Sequence, residues 1–211
     1  MRLLLTGFEP FGGETINPSA EILRALAADP PRNVELTTLK LPVRGRVSFE
    51  LLLPELDGGN FDAWLGLGQA GGRERLSVER VGINVLIDRD DEHAALDEAL
   101  LVDDGPAAYF SRLPVQDLAA HLSEAGAAAA VSNTAGTYIC NEVTYVVQHH
   151  LAETGRDIPS GFIHLPYLPE QVEGKTPAKP SMALETQTLG VHAAVEFVRD
   201  LVEARAAVAA G

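Results

Sequence analysis

Sulfur is scarce in this 211-residue chain, which has one cysteine, Cys140, and two methionines. A lone cysteine excludes an internal disulfide and points to a reducing, cytoplasmic setting. Long apolar runs are also missing. None approaches the roughly 20 residues that a membrane-spanning helix needs, and residues 1–7 are too short to read as a signal peptide. Basic side chains number 16 against 30 acidic ones, a formal charge of −14. Such a surface repels phosphate backbones, and no basic stripe offsets it, so nucleic acid is excluded as a partner. No Gly-Lys-Ser/Thr loop is present, which removes the P-loop nucleotide binders. Eight acids crowd residues 88–104 with Arg89 as their only basic companion. They lack the spacing of a calcium loop and read as a solvated acidic segment.

The remaining composition, 46% hydrophobic and 22% charged, is that of an ordinary globular protein. One domain over residues 1–211 is expected. Short apolar runs at Leu3–Leu5, Val34–Val43, Ala63–Leu67, Ala127–Ser132 and Gly161–Leu165 read as strands, and Arg80–Ile87 as a strand or hairpin arm. Helical spacing marks the segment after Asn17-Pro18, the region of Val47 to Leu56, Val115–Glu124, the stretch from Cys140 towards Leu151, and Leu184–Ala207. Asn17 suits an N-cap with Pro18 at the first helical position. Strands alternating with amphipathic helices predict an α/β/α sandwich around a largely parallel, twisted central sheet.

Cys140 follows a glycine-bearing turn, Ser132–Asn141, and opens a helical pattern. A thiol in a first turn meets unpaired backbone N–H groups and the positive end of the helix dipole, which favour thiolate. On position alone the small buried hydrophobe is the leading reading, and other parts of the chain must overturn it. Cysteine hydrolysis also needs an imidazole and a group to hold it. Of six histidines, His149 and His150 lie roughly 13–15 Å along the helix from Cys140 and cannot reach the sulfur. His121 and His192 sit on helical patterns, and His93 lies in the acidic segment. His164 ends the strand Gly161–Leu165. If its strand neighbours the one preceding Cys140, their carboxyl ends bring sulfur and ring to one edge of the sheet. Glu79, among apolar and β-branched residues, needs a partner; an imidazolium fits, and so does Arg80. Gly66–Gly71 can be forced onto a dinucleotide fingerprint, a weak match that leaves a nucleotide-binding enzyme as a rival reading.

Four blocks are similar to those of the pyrrolidone carboxyl peptidase (pyroglutamyl peptidase I) family. They are residues 7–13 with Asn17-Pro18-Ser19, residues 68–73 with Glu79-Arg80, residues 132–141, and residues 161–171. The resemblance implies a cysteine peptidase that releases an N-terminal pyroglutamyl residue, with Cys140 as nucleophile, His164 as its base and Glu79 as the acid. It implies further that Phe8 and Phe11 flank the pyroglutamyl ring. Gln69, Arg89, Tyr138 and Ile139 fall beside the substrate. The family fold is an α/β/α sandwich, commonly a homotetramer, with neither metal nor organic cofactor. Two departures stand out: the segment after Arg89, Asp90–Leu96, differs from the family loop, and Glu142 stands where a histidine is common. The altered loop supports a second reading, an impaired member that serves in binding or assembly.

Overall fold

The computed structural model describes residues 1–86 and 99–209. In chain order the elements are β1 (Arg2–Phe8), α1 (Pro18–Ala28), β2 (Glu35–Leu41), α2 (Gly45–Gly58), β3 (Ala63–Gln69), β4 (Leu76–Glu79) and β5 (Val81–Ile83). There follow β6 (Ala108–Phe110), α3 (Val115–Glu124), β7 (Ala129–Ser132), α4 (Ile139–Glu153), β8 (Ser160–Leu165), α5 (Pro169–Val172) and α6 (Leu184–Ala209). Six strands form one sheet in the order β2-β1-β3-β8-β4-β7. β2, β1, β3 and β8 are mutually parallel, whereas β4 runs antiparallel to β8 and parallel to β7.

Strand alternation divides the apolar residues between two layers. Leu3, Leu5, Leu65, Leu67 and Ile163 pack against α1, α3 and α6; Leu4, Trp64 and Phe162 pack against α2 and α4. Helices cover both faces, so the expected α/β/α sandwich is present. β3 is buried along its whole length, as its near-continuous apolar run requires of a central parallel strand. α2 continues through Pro54, because Leu52 and Leu56 anchor it against the sheet.

Two expectations need correction. Arg80–Ile87 is not one strand: the central sheet takes Leu76–Glu79, and Val81–Ile83 leaves it to pair with β6 in a separate two-stranded sheet. The strand before Cys140 is not a neighbour of the His164 strand either. β4 lies between β7 and β8, and β7 runs opposite to β8, so the two carboxyl ends do not share an edge.

The start of α1 also fixes the end of β1. Asn17 Oδ1 accepts from Ser19 N at 3.0 Å and from Ser19 Oγ at 2.8 Å, while its Nδ2 donates to Glu9 O at 3.0 Å. Phe8 N donates to Ser19 Oγ at 2.9 Å. Removing this buried cap in Asn17→Ala should cost about 1–2 kcal/mol. A lower denaturation midpoint with an unchanged slope would report it.

Candidate active site

The turn between β7 and α4 is built largely from its own side chains. Ser132 Oγ donates to Thr134 O at 3.1 Å, and Gly136 N donates to Thr134 Oγ1 at 3.1 Å. Asn141 then locks the first turn of α4 to β5: its Oδ1 accepts from Ile83 N at 2.9 Å, and its Nδ2 donates to Ile83 O at 2.9 Å and Val85 O at 3.1 Å. Cys140, half-buried, is thereby held over the sheet at β3. A Cβ on Gly68 would lie only 2.8 Å from its sulfur, so glycine is what admits the sulfur there. Gly68 is in register with His164 on β8. This route across the sheet face, not a shared strand edge, joins the two residues.

Ser77 of β4 faces His164, and Glu79 lies two residues further along the same face, the diagonal position of a cross-strand pair. His164 Nδ1 bonds Glu79 Oε1 at 2.7 Å, with both side chains buried. A carboxylate only accepts, so Nδ1 carries the proton in that bond and Nε2 remains for the sulfur. Burial alone would depress the imidazole pKa. The negative charge of Cys140 and its hydrogen bond, then the bond to Glu79 and that carboxylate's charge, outweigh it and raise His164 to about 9. At neutral pH the ring is an imidazolium. The edge of His164 also meets the Phe162 ring, centroids 5.0 Å apart.

Around this group, Phe8 and Ile139 belong to one buried apolar cluster, against which Phe11, Tyr138 and Cys140 pack. Gln69 is buried at the end of β3 and accepts at Oε1 from Gln171 Nε2 at 2.8 Å. Gln171 is itself oriented by Leu168 N, which donates to its Oε1 at 2.9 Å, and by Ile16 O, which accepts from its Nε2 at 3.2 Å. Arg89, with His93 and the segment Asp90–Leu96, lies outside the described residues. The other histidines have separate partners: His149 bonds the Tyr109 hydroxyl, His150 bonds Asp57, His192 faces Glu196, and His121 meets the Phe197 ring. Gly66–Gly71 leads into β4 and not into a helix, so no helix N-terminus is available there for a pyrophosphate. Among the described residues, no cluster of three or more His, Cys, Asp or Glu is placed to hold a metal ion.

The family model for pyroglutamyl peptidase matches residues 1–200. This chain belongs to the pyroglutamyl peptidase family. It is 48% identical over 183 residues to the pyrrolidone-carboxylate peptidase of Streptomyces coelicolor, covering 85% of this chain and 84% of the relative. The Staphylococcus carnosus pyrrolidone-carboxylate peptidase is 42% identical over 202 residues, covering 95% and 94%. The crystal structure of the Fervidobacterium islandicum pyrrolidone carboxyl peptidase superposes with a TM-score of 0.90 at 41% identity, covering 95% of this chain and 99% of that one. A single-substitution variant of the Pyrococcus furiosus pyrrolidone carboxyl peptidase gives 0.91 at 38% identity, covering 96% and 100%.

Within this family framework, two contributors escaped the sequence reading. Arg73, in the turn after β3, reaches Glu79 Oε1 at 3.2 Å. Arg80, the alternative partner considered for Glu79, instead bonds Asn133 Oδ1 at 2.8 Å. Gln171 was legible only as part of a motif, and its link to Gln69 spans 102 residues. Gly68→Ala tests the close approach of α4. A methyl 2.8 Å from Sγ and from the Phe162 ring must displace one of them. If the sulfur yields, iodoacetamide should alkylate Cys140 about tenfold or more slowly at neutral pH, and if Phe162 yields, the fluorescence of the neighbouring Trp64 should change. An unchanged rate together with unchanged Trp64 fluorescence in a folded variant would contradict this geometry.

Proposed function

We propose that the chain is a cysteine peptidase that hydrolyses the amide following an N-terminal pyroglutamyl (5-oxoproline) residue. The supporting observation is the buried 2.7 Å bond between His164 Nδ1 and Glu79 Oε1, with the Cys140 sulfur held over Gly68, the residue in register with His164. Cys140 thiolate attacks the pyroglutamyl carbonyl carbon and forms the C–S bond. Imidazolium His164 gives its Nε2 proton to the departing amine as the C–N bond breaks. The neutral ring next takes a proton from water. The hydroxide attacks the thioester, and pyroglutamate leaves as the thiolate is restored. Glu79 holds the tautomer throughout. Backbone N–H groups at the start of α4 face the developing oxyanion, where one well-placed donor is worth roughly 3 kcal/mol.

Pyroglutamate is a flat, uncharged lactam. An apolar wall that includes Phe8, Phe11, Tyr138 and Ile139 suits its ring, and Gln69 offers an amide for its polar edge. A charged N-terminal glutamate would have to shed its hydration to enter, at a cost of several kcal/mol. Each proton and bond in the sequence is accounted for by protein, substrate and water, so the reading invokes no cofactor.

A fluorogenic pyroglutamyl amide tests the proposal. Purified wild type should release the fluorophore, and Cys140→Ala or His164→Ala should lower kcat at least about 10³-fold. No release by folded wild type would end the peptidase reading, whereas full release by Cys140→Ala would end the mechanism. The pH profile carries a sign as well. Because departure of the amine needs the imidazolium, kcat/KM should fall as pH rises through about 9, the raised value of His164. Glu79→Gln removes that carboxylate's charge while leaving an amide oxygen to accept from Nδ1, so the falling limb should move to lower pH.

A further inference from the structure

Glu79 serves two cations through one oxygen. His164 Nδ1 and Arg73 Nη2 both meet Oε1, at 2.7 and 3.2 Å, while Oε2 makes no hydrogen bond to a described protein atom. The same Arg73 Nη2 donates to Thr134 O at 3.1 Å, in the turn that leads to Cys140. One guanidinium thus spans the acid on β4 and the turn between β7 and α4, beside the bond from Arg80 to Asn133 in the same turn. Its placement follows from the local chain: Gly72 adopts a left-handed φ of +88° and turns the backbone after β3, so that Arg73 points back over β4. The charge balance is equally specific. The Glu79 side chain is fully enclosed, burial of uncompensated charge is costly, and the guanidinium supplies a second cation to that carboxylate.

We infer that Arg73 is a positioning residue for the reaction, holding Glu79 and the Cys140 turn in mutual register and offsetting the charge of the buried carboxylate. The inference rests on the peptidase reading given above. Arg73 touches neither the sulfur nor a reacting atom. Its influence runs through Glu79 Oε1 and the backbone at Thr134. Such a residue alters the geometry of acyl transfer with little effect on ground-state binding of the ring, which the apolar wall governs. A misplacement of about 1 Å at a catalytic centre lowers turnover by about 10²-fold.

Arg73→Met keeps the aliphatic stem and removes the charge. On the pyroglutamyl amide its kcat should fall about 10²-fold, with KM within about twofold of wild type. Millimolar guanidinium should recover part of the loss, whereas urea, of similar shape and no charge, should not. Arg73→Lys, which keeps the charge, should stay within about tenfold of wild type. The inference is overturned by wild-type kcat in Arg73→Met, by a loss carried in KM, by equal rescue with urea, or by a lysine variant as slow as methionine. Should Arg73→Met not fold, Arg73→Gln reads the same quantities under the same criteria. Cys140→Ala in the same assay separates the two levels. If it is inactive while Arg73→Met is unimpaired, only this inference fails; if it is active, the mechanism itself fails.

Discussion

A carboxylate sealed from water has to share its charge, and the way Glu79 does so constrains much of the molecule. Glu79 is 1% exposed, and its partner ring on His164 is almost equally enclosed. Unpaired, a buried carboxylate would take up a proton or disrupt the fold. Pairing requires β4 beside β8 in a register that makes Glu79 the diagonal neighbour of His164. It also requires a ring that presents Nδ1–H to the carboxylate, and the Cys140 sulfur and Glu79 together offset the burial that would otherwise depress the pKa of that ring. The cost of one buried charge therefore specifies a strand pairing, a tautomer and the position of a helix start.

Around that constraint the fold supplies close contact on one side and rigidity on the other. α4 approaches the sheet closely enough for its sulfur to occupy the space left by the missing side chain of Gly68. Asn141 ties the same helix turn to Ile83 of β5 through two hydrogen bonds and to Val85 beyond it through a third. The aromatic wall is anchored independently: the cap of α1 holds the backbone at Phe8, and Glu14 N donates to Phe11 O at 3.1 Å within the following turn. Phe8 and Phe11 thus rest on β1 and the turn after it, whereas Tyr138 and Ile139 share the start of α4 with Cys140, and all five meet in one apolar cluster.

Much of this was legible in the sequence, for identifiable reasons. Asn17-Pro18 encodes a cap through local backbone chemistry, and the structure has that cap. Apolar strands buried on both faces show as unbroken runs, which is why β3 and β8 could be read directly. His164 was separable from the other histidines by its place at a strand end, whereas Glu79 stayed balanced between an imidazole and Arg80 until the family resemblance was added; the structure pairs it with His164. Strand direction was not legible. Leu76–Glu79 is four residues long, and nothing in its composition records that it inserts between β8 and β7, antiparallel to the first and parallel to the second. β6 escaped for a similar reason: its three residues pair with β5 at the surface, with Phe110 largely exposed, so no burial pattern marks them. Arg73 was hidden because an arginine in a glycine turn reads as solvated until the tertiary fold places a carboxylate beneath it.

The insertion of β4 has a consequence for biosynthesis. On the ribosome β4 emerges well before either strand that flanks it, and His164 follows Glu79 only after 85 further residues. At 5–20 residues per second, that interval lasts roughly 4–17 s. Throughout it Glu79 has no imidazole to face and the central sheet lacks its closing strand. The pairing of Glu79 with His164 is therefore closed to the nascent chain until the segment that carries β8 has been synthesised.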